Sequence, residues 1–69
     1  MKEIDASKSS NIQKIAYDGE FMKVYFRSGG VYQYEGVDGE LFGRFADADS
    51  FGKFFLQEIK GKFPFKRLM

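Results

Sequence analysis

A chain of 69 residues with neither cysteine nor histidine must hold itself together by packing its own apolar side chains. Disulfides are excluded, and so are zinc and copper sites of the usual ligand types. A domain this small buries only about 60% of the surface its unfolded chain exposes, so its margin of stability is thin. The chain compensates with rings. It has nine Phe and four Tyr, and each such side chain removes about 150–250 Å² from water when buried. The length allows one domain, residues 1–69, in which residues 1–8 are polar enough to be ragged.

The missing residue types also narrow the chemistry. Most nucleophile–base pairs disappear with His and Cys, and so does the one side chain that titrates near neutral pH without perturbation. An enzyme would have to work with Asp, Glu, Lys, Tyr or Ser alone, so no catalytic residue, cofactor or metal is expected. Ser50-Phe51-Gly52-Lys53 matches the S-x-x-K pattern of serine β-lactamases. The companion motifs and the large scaffold are absent, and a helix cap accounts for Ser50. No apolar run approaches the roughly 20 residues of a membrane span. The start MKEIDASKSS has no apolar stretch of the signal-peptide kind. A cytoplasmic location with no membrane partner is expected.

Periodicity orders the chain. In NIQKIAYD (11–18), Ile15 and Tyr17 alternate with Lys14 and Ala16, as in a half-buried strand. Asp18-Gly19 supplies a turn. FMKVYFR (21–27) alternates again, Ser28-Gly29-Gly30 turns, and VYQYEGV (31–37) reads as a third strand. Asp38 then suits a helix N-cap with Glu40 in the first turn. Leu41, Phe42 and Phe45 recur at helical spacing. Ser50 or Asp49 caps a second helix with Phe51, Phe54, Phe55 and Ile59 on one face, and Gly61 follows it. Pro64 confines KFPFKRLM to an edge strand or an extended tail. The order is β-β-β-α-α-β: an α+β domain with a small antiparallel sheet and two short helices packed on one face.

The register of one hairpin decides which face is buried. A two-residue Gly29-Gly30 turn would set Val24 opposite Glu35 and bury a carboxylate among apolar groups. A three-residue loop Ser28-Gly29-Gly30, with Gly30 at positive φ, sets Phe26 opposite Tyr32 and Val24 opposite Tyr34. The second register is the better one. It predicts a core of Tyr17, Val24, Phe26, Tyr32, Tyr34, Phe42, Phe45, Phe54, Phe55 and Ile59, with the hydroxyls of the Tyr32–Tyr34 pair reaching the rim.

The net charge of +1 hides an uneven spread. Residues 38–49 carry one Arg against four acids, and residues 50–69 carry five basic side chains against Glu58 alone. The register also leaves Lys14, Lys23, Tyr25, Arg27 and Gln33 on the second face of the sheet, with Lys62 and Lys66 beside them. Basic groups around an aromatic ring are what a single strand of nucleic acid uses. The competing account is an ordinary solvated face whose lysines block edge pairing.

Taken together, S-S-N-I (9–12), Y-D (17–18), V-x-F (24–26), G-x-Y-x-Y (30–34), Val37, A-D-S-x-G-K-F-F (48–55) and I-K-G-K-F (59–63) resemble the KTSC domain. This small domain occurs at the C-terminus of some lysyl-tRNA synthetases and as free-standing bacterial and phage proteins. The resemblance runs from about residue 7 to 67, and its synthetase context implies RNA or tRNA binding. Three positions depart from the family pattern. Asp38 stands where Pro follows the third strand, Leu56 where many members have Asn, and Phe63 where Tyr is common.

Three non-catalytic functions therefore compete. One is an RNA-binding module that uses Lys14, Lys23, Arg27, Lys60, Lys62, Lys66 and Arg67 on phosphates, with Tyr25 stacking on a base. Another is a protein-interaction module, such as a phage-encoded modulator of a host protein, that pairs through a free strand edge. The third is a binder of a small nucleotide at a pocket between subunits.

Overall fold

The computed structural model describes residues 2–69. The alternating segments form β2 (Ile12–Tyr17), β3 (Phe21–Phe26) and β4 (Val31–Glu35). Before them runs β1 (Lys2–Asp5), and after them come α1 (Gly39–Ala46), α2 (Phe51–Phe54) and β5 (Phe65–Arg67). All pairings are antiparallel, and the five strands lie in chain order, β1-β2-β3-β4-β5. The α+β class and the two consecutive helices follow the sequence pattern.

The sheet has one strand more at its start than the pattern predicts. Residues 2–5 are not ragged but pair with β2, and Ile4 sits opposite Ile15 against the core. Long-range groups fix this edge. The Arg27 guanidinium donates to the carbonyls of Ser7 and Ser9, and the Ala6 amide donates to the Gln13 carbonyl over 3.1 Å. Asp5 and Asp18 each brace a turn with a carboxylate that accepts hydrogen bonds from nearby residues. The amides of Phe21 and Glu20 hold Asp18 below the usual carboxylate range.

The hairpin between β3 and β4 keeps the expected faces but not the expected pairs. Val24 sits opposite Tyr32 and Met22 opposite Tyr34. The three-residue loop is Arg27-Ser28-Gly29, one position earlier than predicted. The Gly29 amide bonds to the Phe26 carbonyl and the Phe26 amide to the Gly30 carbonyl. Positive φ therefore falls on Gly29, at +99°, and not on Gly30. The pairing moves by two residues, so the side chains within β3 and β4 stay on their predicted faces, while Arg27 passes into the loop. Gly30 has a different constraint: a β-carbon there would stand 3.3 Å from Cε1 of Tyr32. Gly29→Ala should lower stability by about 1–2 kcal/mol through backbone strain. Gly30→Ala should cost less, because only the tip of a ring must move. Urea midpoints of the two variants compare these effects directly, and the reverse order would return the left-handed residue to position 30.

Both helix caps form as the residues suggest. Asp38 accepts from the Leu41 amide and Ser50 from the Lys53 amide. Helix α2 runs into a π turn, Phe55–Ile59, closed by a bond from the Lys60 amide to the Phe55 carbonyl. Phe45 is fully buried and stacks on Phe54 at 4.9 Å. Tyr17 stacks on Phe42 at 4.6 Å, and its hydroxyl donates to the Val37 carbonyl over 2.8 Å. Phe26, Tyr32 and Phe54 pack only half-buried at the margin of the core: Phe26 and Tyr32 because the helices leave the β4–β5 end of the sheet open, Phe54 on α2 beside Phe45 and Arg44.

Candidate functional site

That uncovered end forms an aromatic groove of about 620 Å³. Phe26, Tyr32 and Tyr34 project from the sheet as its floor. Phe55 and Leu56 from the π turn make one wall, Phe65 from β5 makes the other, and Asn11 and Arg27 stand at one end. The rings meet edge-on or tilted, with centroids 5.3–5.7 Å apart: Phe26 on Phe55, Tyr32 on Phe65, and Tyr34 between Phe55 and Phe65. Phe65 and Leu56 are 57% and 54% exposed, large apolar side chains left in water beside the cleft. Among the described residues that line the groove there is no carboxylate, while Lys60 and Arg27 supply positive charge. Arg67 lies opposite Tyr32 in the sheet, its guanidinium 5.8 Å from that ring.

Tyr34 is the most confined polar side chain of the floor. It is only 3% exposed, yet among the described residues no group hydrogen-bonds to its hydroxyl. Burial, and then the neighbouring Tyr32, push this phenol above the usual tyrosine range.

The candidate residues read from the sequence divide between two faces and a loop. Lys23, Gln33 and Lys66 form one cross-strand row on the open face, and Tyr25 lies with Lys14 in the next. This face is electrically mixed: Glu3, Asp5 and Glu35 share it by register. One face of the Tyr25 ring already carries Lys14, 4.5 Å away, which is itself 4.0 Å from Glu3. Arg27 is not on the sheet face. It belongs to the β3–β4 loop, and its guanidinium is engaged with backbone carbonyls. Lys60 and Arg67 lie on the helix side with the groove, and Lys62 is exposed in the turn before β5.

Periodicity does not find the groove, because Tyr32, Tyr34 and Phe55 occupy inward positions and read as core. One signal was present in the chain. Several segments of the family pattern, Ser10-Asn11-Ile12, Tyr32, Tyr34, Gly52 and Phe55, come from distant parts of the sequence and converge on this cleft. A β-carbon on Gly52 would stand 3.7 Å from Nδ2 of Asn11, so α2 begins within van der Waals reach of that motif.

The chain matches the KTSC domain over residues 8–63. It is similar to the crystal structure of a KTSC domain protein from Yersinia pestis, with 40% identity and a TM-score of 0.84, over 88% of this chain and 89% of that one. It is also 39% identical over 57 residues to an uncharacterized protein of Stutzerimonas stutzeri (strain A1501), a match covering 80% of each. A family match over residues 8–63 and a shared fold at 40% identity show that the protein belongs to the KTSC domain family.

Proposed function

We propose that the domain is a non-catalytic module that binds single-stranded RNA through the aromatic groove. The observation that carries this is a cleft walled by Phe26, Tyr32, Phe55 and Phe65, with Lys60 at its rim, Arg67 beside it and no acidic residue among its described lining. Stacking on aromatic rings and cations along the backbone are the two elements of single-strand binding. The open sheet face supports the reading less, since its lysines are offset by carboxylates and Tyr25 is covered by Lys14. Few phosphates are within reach of these cations, so affinity should be micromolar or weaker at physiological salt.

A titration of labelled single-stranded RNA, with tRNA in parallel at low salt, tests this. Lys60→Glu with Arg67→Glu should weaken binding and lower the salt slope by about 0.7 for each phosphate no longer neutralised. Lys23→Glu with Lys66→Glu should change it little. Equal weakening by both pairs would point to a diffuse field and not to the groove.

The second reading, a protein-interaction module, draws on the exposed apolar side chains Leu56, Phe65, Leu68 and Met69. It becomes the better account if neither RNA binds.

A further inference from the structure

We propose that the groove takes a single nucleobase and that the Tyr34 hydroxyl hydrogen-bonds to that ring's polar edge. This rests on the RNA-binding reading and names the chemistry its site selects. The starting point is the contrast between two buried tyrosines. Tyr17 is 7% exposed, and its hydroxyl is satisfied by the Val37 carbonyl over 2.8 Å. Tyr34 is still more buried, its ring held between Phe55 and Phe65, and its hydroxyl meets no partner among the described residues. No side-chain polar atom among them is both sealed from solvent and unpaired. The hydroxyl therefore keeps its access, and Tyr34 lines the groove.

An occupant that fills the groove displaces the water on that hydroxyl. It must then restore the hydrogen bond or leave a buried polar group unpaired. A leucine or phenylalanine side chain from a peptide cannot restore it. A nucleobase can, because it is a flat ring that stacks on aromatic walls and carries nitrogen and oxygen atoms around its edge. The phenol both donates and accepts, so it selects for a polar edge without fixing which base. The groove, about 620 Å³ and open to solvent along one side, has room for a base with its sugar and phosphate toward the rim. The positive groups nearby, Lys60 and Arg67, suit the phosphate that a base in a chain brings with it. Tyr32 stands next to Tyr34 and supplies a second phenol on the same floor.

The test uses the full chain and its Tyr34→Phe variant, which keeps the ring and removes only the oxygen. Backbone amide shifts are followed by NMR during titration with the nucleoside monophosphates, with ribose 5-phosphate, and with N-acetylphenylalanine amide. The expected result is that nucleotides move the resonances of Tyr34, Phe55 and Phe65, and ribose 5-phosphate does not. Tyr34→Phe should then weaken nucleotide binding by about tenfold, the effect of removing one hydrogen bond, and should leave the phenylalanine derivative unchanged or tighter. Three results would overturn the proposal: nucleotides bound equally by Tyr34→Phe, ribose 5-phosphate as effective as a nucleotide, or no shift at millimolar concentration. RNA that binds without these shifts would refute the base pocket and leave the RNA reading standing on another surface. Nucleotides that bind as expected, while RNA does not, would uphold the pocket and refute the RNA reading.

Discussion

Phe45→Ala will be the most damaging truncation in the domain, with an expected loss of about 3–5 kcal/mol. Phe45 is the largest side chain with no exposure at all. It lies on Phe54 at 4.9 Å and meets Phe51 edge-on at 6.0 Å, so one ring joins α1 to α2. Alanine would forgo the burial of that ring and leave a cavity that two short helices cannot close by shifting. Native domains hold about 5–15 kcal/mol in total, and one of this size belongs at the low end. The melting temperature should fall by about 15 °C or more. Phe54→Ala, at a half-buried position, should cost less. A melt that moved only a few degrees for Phe45→Ala would show that the helices pack on something else.

Ile12→Ala should cost about 2–5 kcal/mol, as much as Ile15→Ala, while deletion of Gln13 should be far milder than either. Strict alternation puts Ile12 and Ile15 on opposite faces, since they are three residues apart. Both are nevertheless fully buried, because the pairing of β2 with β3 slips between Ile12 and Lys14 and Gln13 is the extra residue of a bulge. Removing Gln13 would leave Ile12 and Ile15 two apart and both facing inward in a regular strand. Urea unfolding of the three variants tests the bulge. A harmless Ile12→Ala would mean that β2 is regular and Ile12 faces outward.

The bulge also marks where the sequence stops being legible. Faces were readable wherever alternation was uninterrupted, as in Met22-Val24-Phe26 and Tyr32-Tyr34, and caps were readable because Asp38 and Ser50 act on amides three residues away. These are local effects. Strand β1 was not readable: Ile4 is its one apolar residue, and the segment that leads from it to β2 is held by Arg27, twenty residues from the Ser7 carbonyl. The position of the left-handed residue was not readable either, since Gly29 and Gly30 are adjacent and identical until the bonds of Phe26 distinguish them. The groove is the deepest omission. Inward-facing aromatics signify core only when another layer covers them, and how far a helix reaches across a sheet is a tertiary fact. Here α1 covers the β2 side through Tyr17 and Phe42, and the rings near β5 stay open.

Strand β5 has three residues, all exposed, and joins the sheet through β4 alone. It comes last in both chain order and sheet order. Such an edge opens by local fluctuation at a free energy well below that of global unfolding. Because Phe65 is one wall of the groove, the cleft is complete only in the closed fraction of molecules. Any occupant therefore binds with an intrinsic affinity scaled down by that fraction, and by linkage it closes the edge in return. The cleft and the docking of the terminal strand are thus two readouts of one equilibrium, and the amide hydrogens of Val31–Glu35 and Phe65–Arg67 would report its position.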